Sequence, residues 1–171
     1  MSHNNEKYID LTLRTLYEAY FQELASGALV NRWEFINIVT AFVVAITASG
    51  SAIAGWAFWN ESGWKTIWTF IAGTASVISI GHGILAVPGR IKEQEKLRRV
   101  FAGLRIDIET FHQRLTVGLN GDEAGKGYNK LRERFSECMS RTHAEIAFTL
   151  GLRRRIQADL DKIFKREGYI K

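Results

Sequence analysis

The sequence predicts an all-α membrane protein, and three observations carry that prediction. Two stretches free of Asp, Glu, Lys and Arg, residues 35–60 and 66–89, each exceed the ~20 apolar residues a helix needs to cross a bilayer. Between them stands only Asn60-Glu61-Ser62-Gly63-Trp64-Lys65, which is short enough to demand an antiparallel pair. Elsewhere apolar residues recur at helical spacing, and no segment alternates as a strand would. The expected layout has three parts. Residues 1–34 form an N-terminal amphipathic cytoplasmic helix, residues 35–89 an antiparallel two-span transmembrane hairpin, and residues 90–171 a long antiparallel cytoplasmic helical hairpin.

The first helix is expected over residues 6–29. Ile9, Leu13, Leu16, Tyr20 and Leu24 share one face, and Tyr17 and Phe21 widen it. Gly27 marks an expected break before the membrane. This helix would lie along the bilayer surface or pack on the cytoplasmic helices. Its shortage of basic residues favours packing, because interfacial helices are usually basic. No cleavable signal peptide is expected, because the apolar run begins too late.

Charge sets the expected topology. Up to Gly89 there are four basic residues against six acidic ones; beyond it there are 19 against 12. Arg90, Lys92, Lys96, Arg98 and Arg99 follow the second stretch directly, and Arg32 precedes the first. The positive-inside rule therefore puts both termini in the cytoplasm and the connecting turn outside. The five tryptophans, Trp33, Trp56, Trp59, Trp64 and Trp68, fall in or beside the hairpin, where indoles favour the headgroup region. The basic run is read as topology signal plus contact with anionic lipid. Arg153-Arg154-Arg155 would fold back to join it. A nucleic-acid surface, which needs aromatic stacking partners beside the cations, ranks below lipid contact.

The spans themselves carry small residues where a plain anchor would carry leucine. Ala41, Ala45 and Ser49 share a face in the first, and Ala75, Ser79 and Gly83 share one in the second. Small faces let backbones approach closely in lipid. Such residues occupy more than one face, so homo-oligomerisation through the spans is expected. The hydroxyls of Thr40, Thr47, Ser51, Thr69, Thr74 and Ser76 suggest a polar lining. His82, about 12 Å of helix from Arg90, is an ionisable group inside a span and a candidate gate.

After Pro88-Gly89, the residues Leu97, Phe101, Leu104, Ile108, Phe111 and Leu115 form an a/d seam. A polar turn is expected over Asn120 to Gly127. A second long helix then follows, with an apolar face from Tyr128 and Leu131 to Leu160 and Phe164 that drifts somewhat in phase from Ile146 onward. The one cysteine, Cys138, excludes an internal disulfide and a multi-cysteine zinc site. No cofactor or metal is expected. Phosphate loops, nucleophile elbows and metal-ligand spacings are absent from the sequence, so the chain is not expected to be an enzyme.

One short pattern stands apart. Arg105 and His112 match R-x6-H, a pairing in which Arg could stabilise a phosphate transition state and His could act as acid or base. With 14 arginines in the chain, chance produces such a match readily. A structural pair on a helix surface is the preferred reading.

The whole layout resembles the SLATT group of two-span effectors from bacterial conflict systems. It also resembles the small membrane accessory proteins of RNA-targeting type VI CRISPR nucleases, whose divergent HEPN-like element could here be only Arg105 and His112. The resemblance implies an oligomeric membrane pore or permeabilising effector in antiphage defence, controlled by its cytoplasmic helices and answering to a cytoplasmic defence partner. The alternatives it leaves are an RNA-responsive HEPN-like accessory and a passive membrane scaffold.

Overall fold

The computed structural model describes residues 3–57, 62–142 and 148–169, with side chains at 6–47, 66–67, 69–142 and 148–169. Five helices account for the described residues, and no strand occurs among them. They are α1 (His3–Ala57), α2 (Ser62–Ile84), α3 (Val87–Val117), α4 (Gly121–Ser140) and α5 (Leu150–Arg166). The chain forms two compact units, Met1–Leu29 with Glu93–Lys171, and Val30–Lys92.

In the first unit, α3 is the central element. Leu97, Phe101, Leu104, Ile108 and Leu115 are each no more than 7 % exposed. The predicted seam is therefore consumed within one chain. It packs against Leu16 and Ala19 of α1, Leu131 and Phe135 of α4, and Leu160 and Phe164 of α5. Alpha4 runs antiparallel to α3, as the pairing of Phe101 with Phe135 and the close approach of Phe111 to Gly127 require. The N-terminal part of α1 packs on these helices, and small residues, Thr12, Thr15 and Ala19, are buried beside Leu16. Short side chains there let α1 approach its neighbours closely while the flanking Tyr17, Tyr20 and Phe21 reach around them.

Five expectations are corrected. No break occurs at Gly27, and α1 runs on through it. Glycine only weakens a helix by about 1 kcal/mol, and the bare backbone at Gly27 lets Arg98 lie across it, with Nε 3.4 Å from where a Cβ would stand. Alpha2 already begins at Ser62, inside the link expected at 60–65; residues 58–61 lie outside the described residues.

The glycine-rich run after Asn120 is helical from Gly121 onward. Asp122 and Glu123 sit in the first turn, where carboxylates complement the helix dipole. Gly125 and Gly127 serve packing instead of turning. A Cβ on Gly125 would stand 2.9 Å from the Tyr8 hydroxyl, and one on Gly127 would overlap the Phe111 ring.

The second long helix is in fact two. Alpha4 ends with Arg141 as its C-cap, and α5 starts afresh with Thr149 as N-cap, its hydroxyl accepting from the Leu152 N–H at 3.4 Å. Ser140, Thr142 and Thr149 offer side-chain oxygens that compete with helical bonding, which is why a phase drift in the apolar pattern marked a real interruption.

Alpha3 likewise does not continue α2 without a joint. Leu85 and Ala86 form a turn, and Ala86 adopts φ +48°, a left-handed conformation that an L-residue other than glycine seldom takes. Pro88 explains the joint, because its ring would clash with the carbonyl four residues back and it has no N–H to donate. The Ala86 carbonyl then starts α3 by accepting from Gly89 and Arg90.

Candidate functional site

In the unit Val30–Lys92, α2 packs back along α1. From Trp33 onward, Trp33, Asn37, Thr40, Val43 and Thr47 are the least exposed residues of this part of α1, and they recur at helical spacing. On α2 the inward positions are Ala72, Ala75 and His82. Their meeting point is polar: His82 Nε2 lies 3.0 Å from Asn37 Oδ1. Trp33, expected at a membrane interface, is only 4 % exposed, and its indole N–H has no hydrogen-bond partner. The other four tryptophan side chains fall outside those described.

Of the predicted packing residues, Ala75 is buried at the α1–α2 contact and His82 is half-buried there. Ala41, Ala45, Ser79 and Gly83 are exposed, and Ser49 lies outside the described side chains. The predicted faces therefore divide into one that joins the two helices and others left open. Asn37 was missed by the sequence reading. Its signal was available, since it is an amide in an apolar run, spaced four from Trp33 and three from Thr40.

The outward surface of this unit is strongly apolar. Phe35, Ile38 and Phe42 of α1 are 65–68 % exposed, and Phe70, Val77, Ile80 and Ile84 of α2 are 63–79 % exposed. Among the described residues, one helix segment, Glu6–Thr47, is long and apolar enough to cross a membrane. Its most apolar stretch has mean hydropathy 1.5, and only 22 % of that stretch is buried. The pair Thr69–Ile84 and Val87–Val117 would supply a second crossing if taken as one broken span.

Three of the six hydroxyls expected to line a polar path bond to their own helices. Thr47 donates to the Val43 carbonyl at 2.7 Å, Thr74 to Phe70 at 2.9 Å and Ser76 to Ala72 at 2.9 Å. Bonded in this way, each can face an apolar surrounding without an unsatisfied donor.

Among the basic residues, Lys92, Lys96, Arg98 and Arg99 are exposed and Arg90 is half-buried. Arg99 pairs with Glu95 at 3.2 Å. Arg153, Arg154 and Arg155 are all exposed on the first turns of α5.

Arg105 and His112 lie two turns apart on α3, in a corner made with α1 and the end of α5. Arg105 Nε donates to Glu23 Oε2 at 2.7 Å, its Nη1 reaches Glu109 at 3.4 Å, and the guanidinium stacks over the Tyr20 ring at 4.6 Å. Burial opposes the charge, but the hydrogen bond and negative charge of Glu23, helped by Tyr20 and Glu109, outweigh it and push the guanidinium pKa up. His112 Nε2 is buried with no hydrogen-bond partner, and its ring meets Tyr169 edge-on at 5.7 Å. Burial pushes its pKa down, against a smaller upward pull from Glu109. In this arrangement the arginine is neutralised by two carboxylates and the imidazole nitrogen is covered. The corner joins α3 to α1 and to the end of α5. Glu23, which completes it, was invisible to a search for short local motifs.

No protein-family model, no curated protein and no solved structure matches this chain.

Proposed function

We propose that this chain is a bacterial inner-membrane protein whose apolar helices enter the bilayer as a hairpin with both termini cytoplasmic. Copies assemble through the open span faces into a permeabilising oligomer, which the helical unit holds closed. One observation carries the reading: large apolar side chains, from Phe35 to Ile46 and from Ile67 to Leu85, stand exposed along both helices of one unit. A folded protein in water rarely leaves such a continuous apolar surface, whereas a bilayer covers it. The excess of basic residues after Gly89 supports the orientation. Exposed Ala41, Ala45, Ser79 and Gly83 give neighbouring copies places to approach closely. The resemblance in layout to SLATT-group effectors supplies the setting, antiphage defence with a cytoplasmic partner as trigger.

Reconstituting the full chain in liposomes and measuring ion flux together with subunit number tests this reading. A defined oligomer that releases ions on triggering supports it. A monomer that never dissipates a gradient rejects it.

A second reading, a membrane scaffold without a conduit, is favoured by the hydroxyls of Thr47, Thr74 and Ser76, which bond to their own helices. It predicts that an unrelated leucine-rich span pair preserves function. The RNA-responsive reading would require Arg105 to leave Glu23 and Glu109 before it could meet a phosphate.

A further inference from the structure

We propose that Asn37 and His82 form a self-complementary hydrogen-bonding pair, through which one copy of this chain docks onto a second copy inside the bilayer. The inference rests on the membrane assembly proposed above and names the polar contact that joins its members.

The pair is set in an apolar surface. Beside Asn37, the side chains of Phe35 and Ile38 are 68 % and 66 % exposed. Beside His82, those of Ile80 and Ile84 are 63 % and 79 % exposed. Asn37 and His82 are themselves half-buried, so each meets the other and still reaches the outer surface. Water would solvate the remainder of such groups. Hydrocarbon cannot, and a polar group left unsatisfied there is strongly penalised.

The contact between the two uses only part of what they carry. His82 Nε2 and Asn37 Oδ1 lie 3.0 Å apart, and neither side chain has another hydrogen bond among the described residues. An imidazole has two ring nitrogens, and a side-chain amide has one oxygen and two N–H groups. With the proton on Nε2, the imidazole donates to Asn37 Oδ1. Nδ1 is then an unused acceptor and the amide nitrogen an unused donor. With the amide turned over and the proton on Nδ1, the amide oxygen is the unused acceptor and Nδ1–H an unused donor. Either arrangement leaves a donor and an acceptor side by side. A second copy presents the same two groups, so two such pairs satisfy each other. Thr47, Thr74 and Ser76 differ, since they bond back to their own helices.

The backbone beside the pair is open to a neighbour. Gly81 and Gly83 flank His82, and a Cβ on either would meet nothing within 4 Å. Ala41, one turn along α1 from Asn37, and Ser79, one turn before His82, are exposed. A helix of another copy can therefore approach closely enough for short side chains to bond across the interface. No Asp, Glu, Lys or Arg occurs in residues 35–60 or 66–89, so this surface has no charge with which to select an ionic partner. Its complement is itself.

Self-association of the full chain in micelles, followed by sedimentation equilibrium over a range of protein-to-detergent ratios, tests the docking. Asn37→Leu and His82→Leu make the surface more apolar, yet each should weaken association roughly 3- to 30-fold, the size expected of one hydrogen bond between spans. Both variants also lose the bond within the chain, so a second pair of variants keeps it. Ala41→Leu and Gly83→Leu fill the open backbone and leave both bonding side chains in place. Each should weaken association at least as much, while the dissociated chain resists unfolding as the parent does. A wild-type chain that associates, with an affinity that none of the four substitutions changes, overturns the docking and leaves assembly through other faces standing. Loss confined to Asn37→Leu and His82→Leu overturns it too, by tracing the effect to packing within the hairpin. A wild-type chain that is monomeric at every ratio removes the assembly, and this docking with it.

Discussion

Arg105 Nε donates to Glu23 Oε2 at 2.7 Å, tying α3 to α1 across 82 residues of chain. Both side chains are about one-fifth exposed, so the pair is shielded from water without being sealed off. Removing one partner leaves a shielded charge unanswered. Glu23→Gln should lower the stability of the helical unit by about 2 kcal/mol, a fully buried pair's loss discounted for partial solvent screening. A denaturant titration checks this. The Glu23→Gln/Arg105→Gln double variant should lose less than the sum of the two single variants.

Two glycines should respond in opposite directions. Gly127→Ala drives a methyl group into the Phe111 ring, which cannot swing aside as a flexible chain could. It should destabilise by about 1–3 kcal/mol. Gly103→Ala, on the open side of α3, meets nothing within 4 Å. It should stabilise by roughly 0.5–1 kcal/mol through helix propensity alone. Melting curves of the two variants, run side by side, separate packing from propensity.

Cys138 should label slowly. Burial and the nearby Glu137 push the thiol pKa up, against smaller opposing pulls from Arg141 and Arg134. The reactive thiolate is therefore scarce at neutral pH. Maleimide or disulfide-exchange labelling should speed up as pH rises, and should not yet level off at the ordinary thiol value of 9.0. A plateau reached below that value contradicts the direction of the shift.

The helical seam was legible in the sequence and the corner around Arg105 was not, for a physical reason. Leu97, Phe101, Leu104 and Ile108 announce themselves because burial of one helix face imposes a period on neighbouring residues. The Glu23–Arg105 pair imposes none, since its partners meet only after the helices have packed. Tyr169 was hidden similarly, because its placement depends on the left-handed Gly168. The glycines at 125 and 127 misled in the opposite sense. Glycine marks both turns and close approaches, and only the positions of Tyr8 and Phe111 distinguish them. The joint between α4 and α5 showed only as a drift in phase that a continuous helix could also have absorbed.

Asn37 and His82 should be energetically coupled. Asn37→Leu and His82→Leu should each weaken the packing of α1 on α2, and the double variant should recover part of the combined loss. A coupling of about 0.6–2 kcal/mol is the expected size for a hydrogen bond between spans. Unfolding in mixed micelles measures it, and strict additivity would show that the 3.0 Å contact contributes nothing.

The apolar belt gives the most direct test of membrane entry. Phe42→Arg and Phe70→Arg each place a cation where the side chain is now 65 % or 77 % exposed. Each should cost roughly 2.5–3.5 kcal/mol of insertion free energy if that position lies at mid-bilayer. Alkaline carbonate should then extract the double variant from membranes and leave the parent chain behind. Both proteins remaining in the pellet would reject these faces as lipid-facing.

The self-bonded hydroxyls have an evolutionary consequence. Thr47, Thr74 and Ser76 each donate to a carbonyl four residues back, so the side chain asks nothing of a neighbouring helix. Exchange with alanine removes donor and demand together, and lineages can drift at these sites at little cost. Asn37 and His82 have no such freedom, because each supplies what the other lacks. Selection can relax at the three hydroxyls independently, but it must move that pair in step.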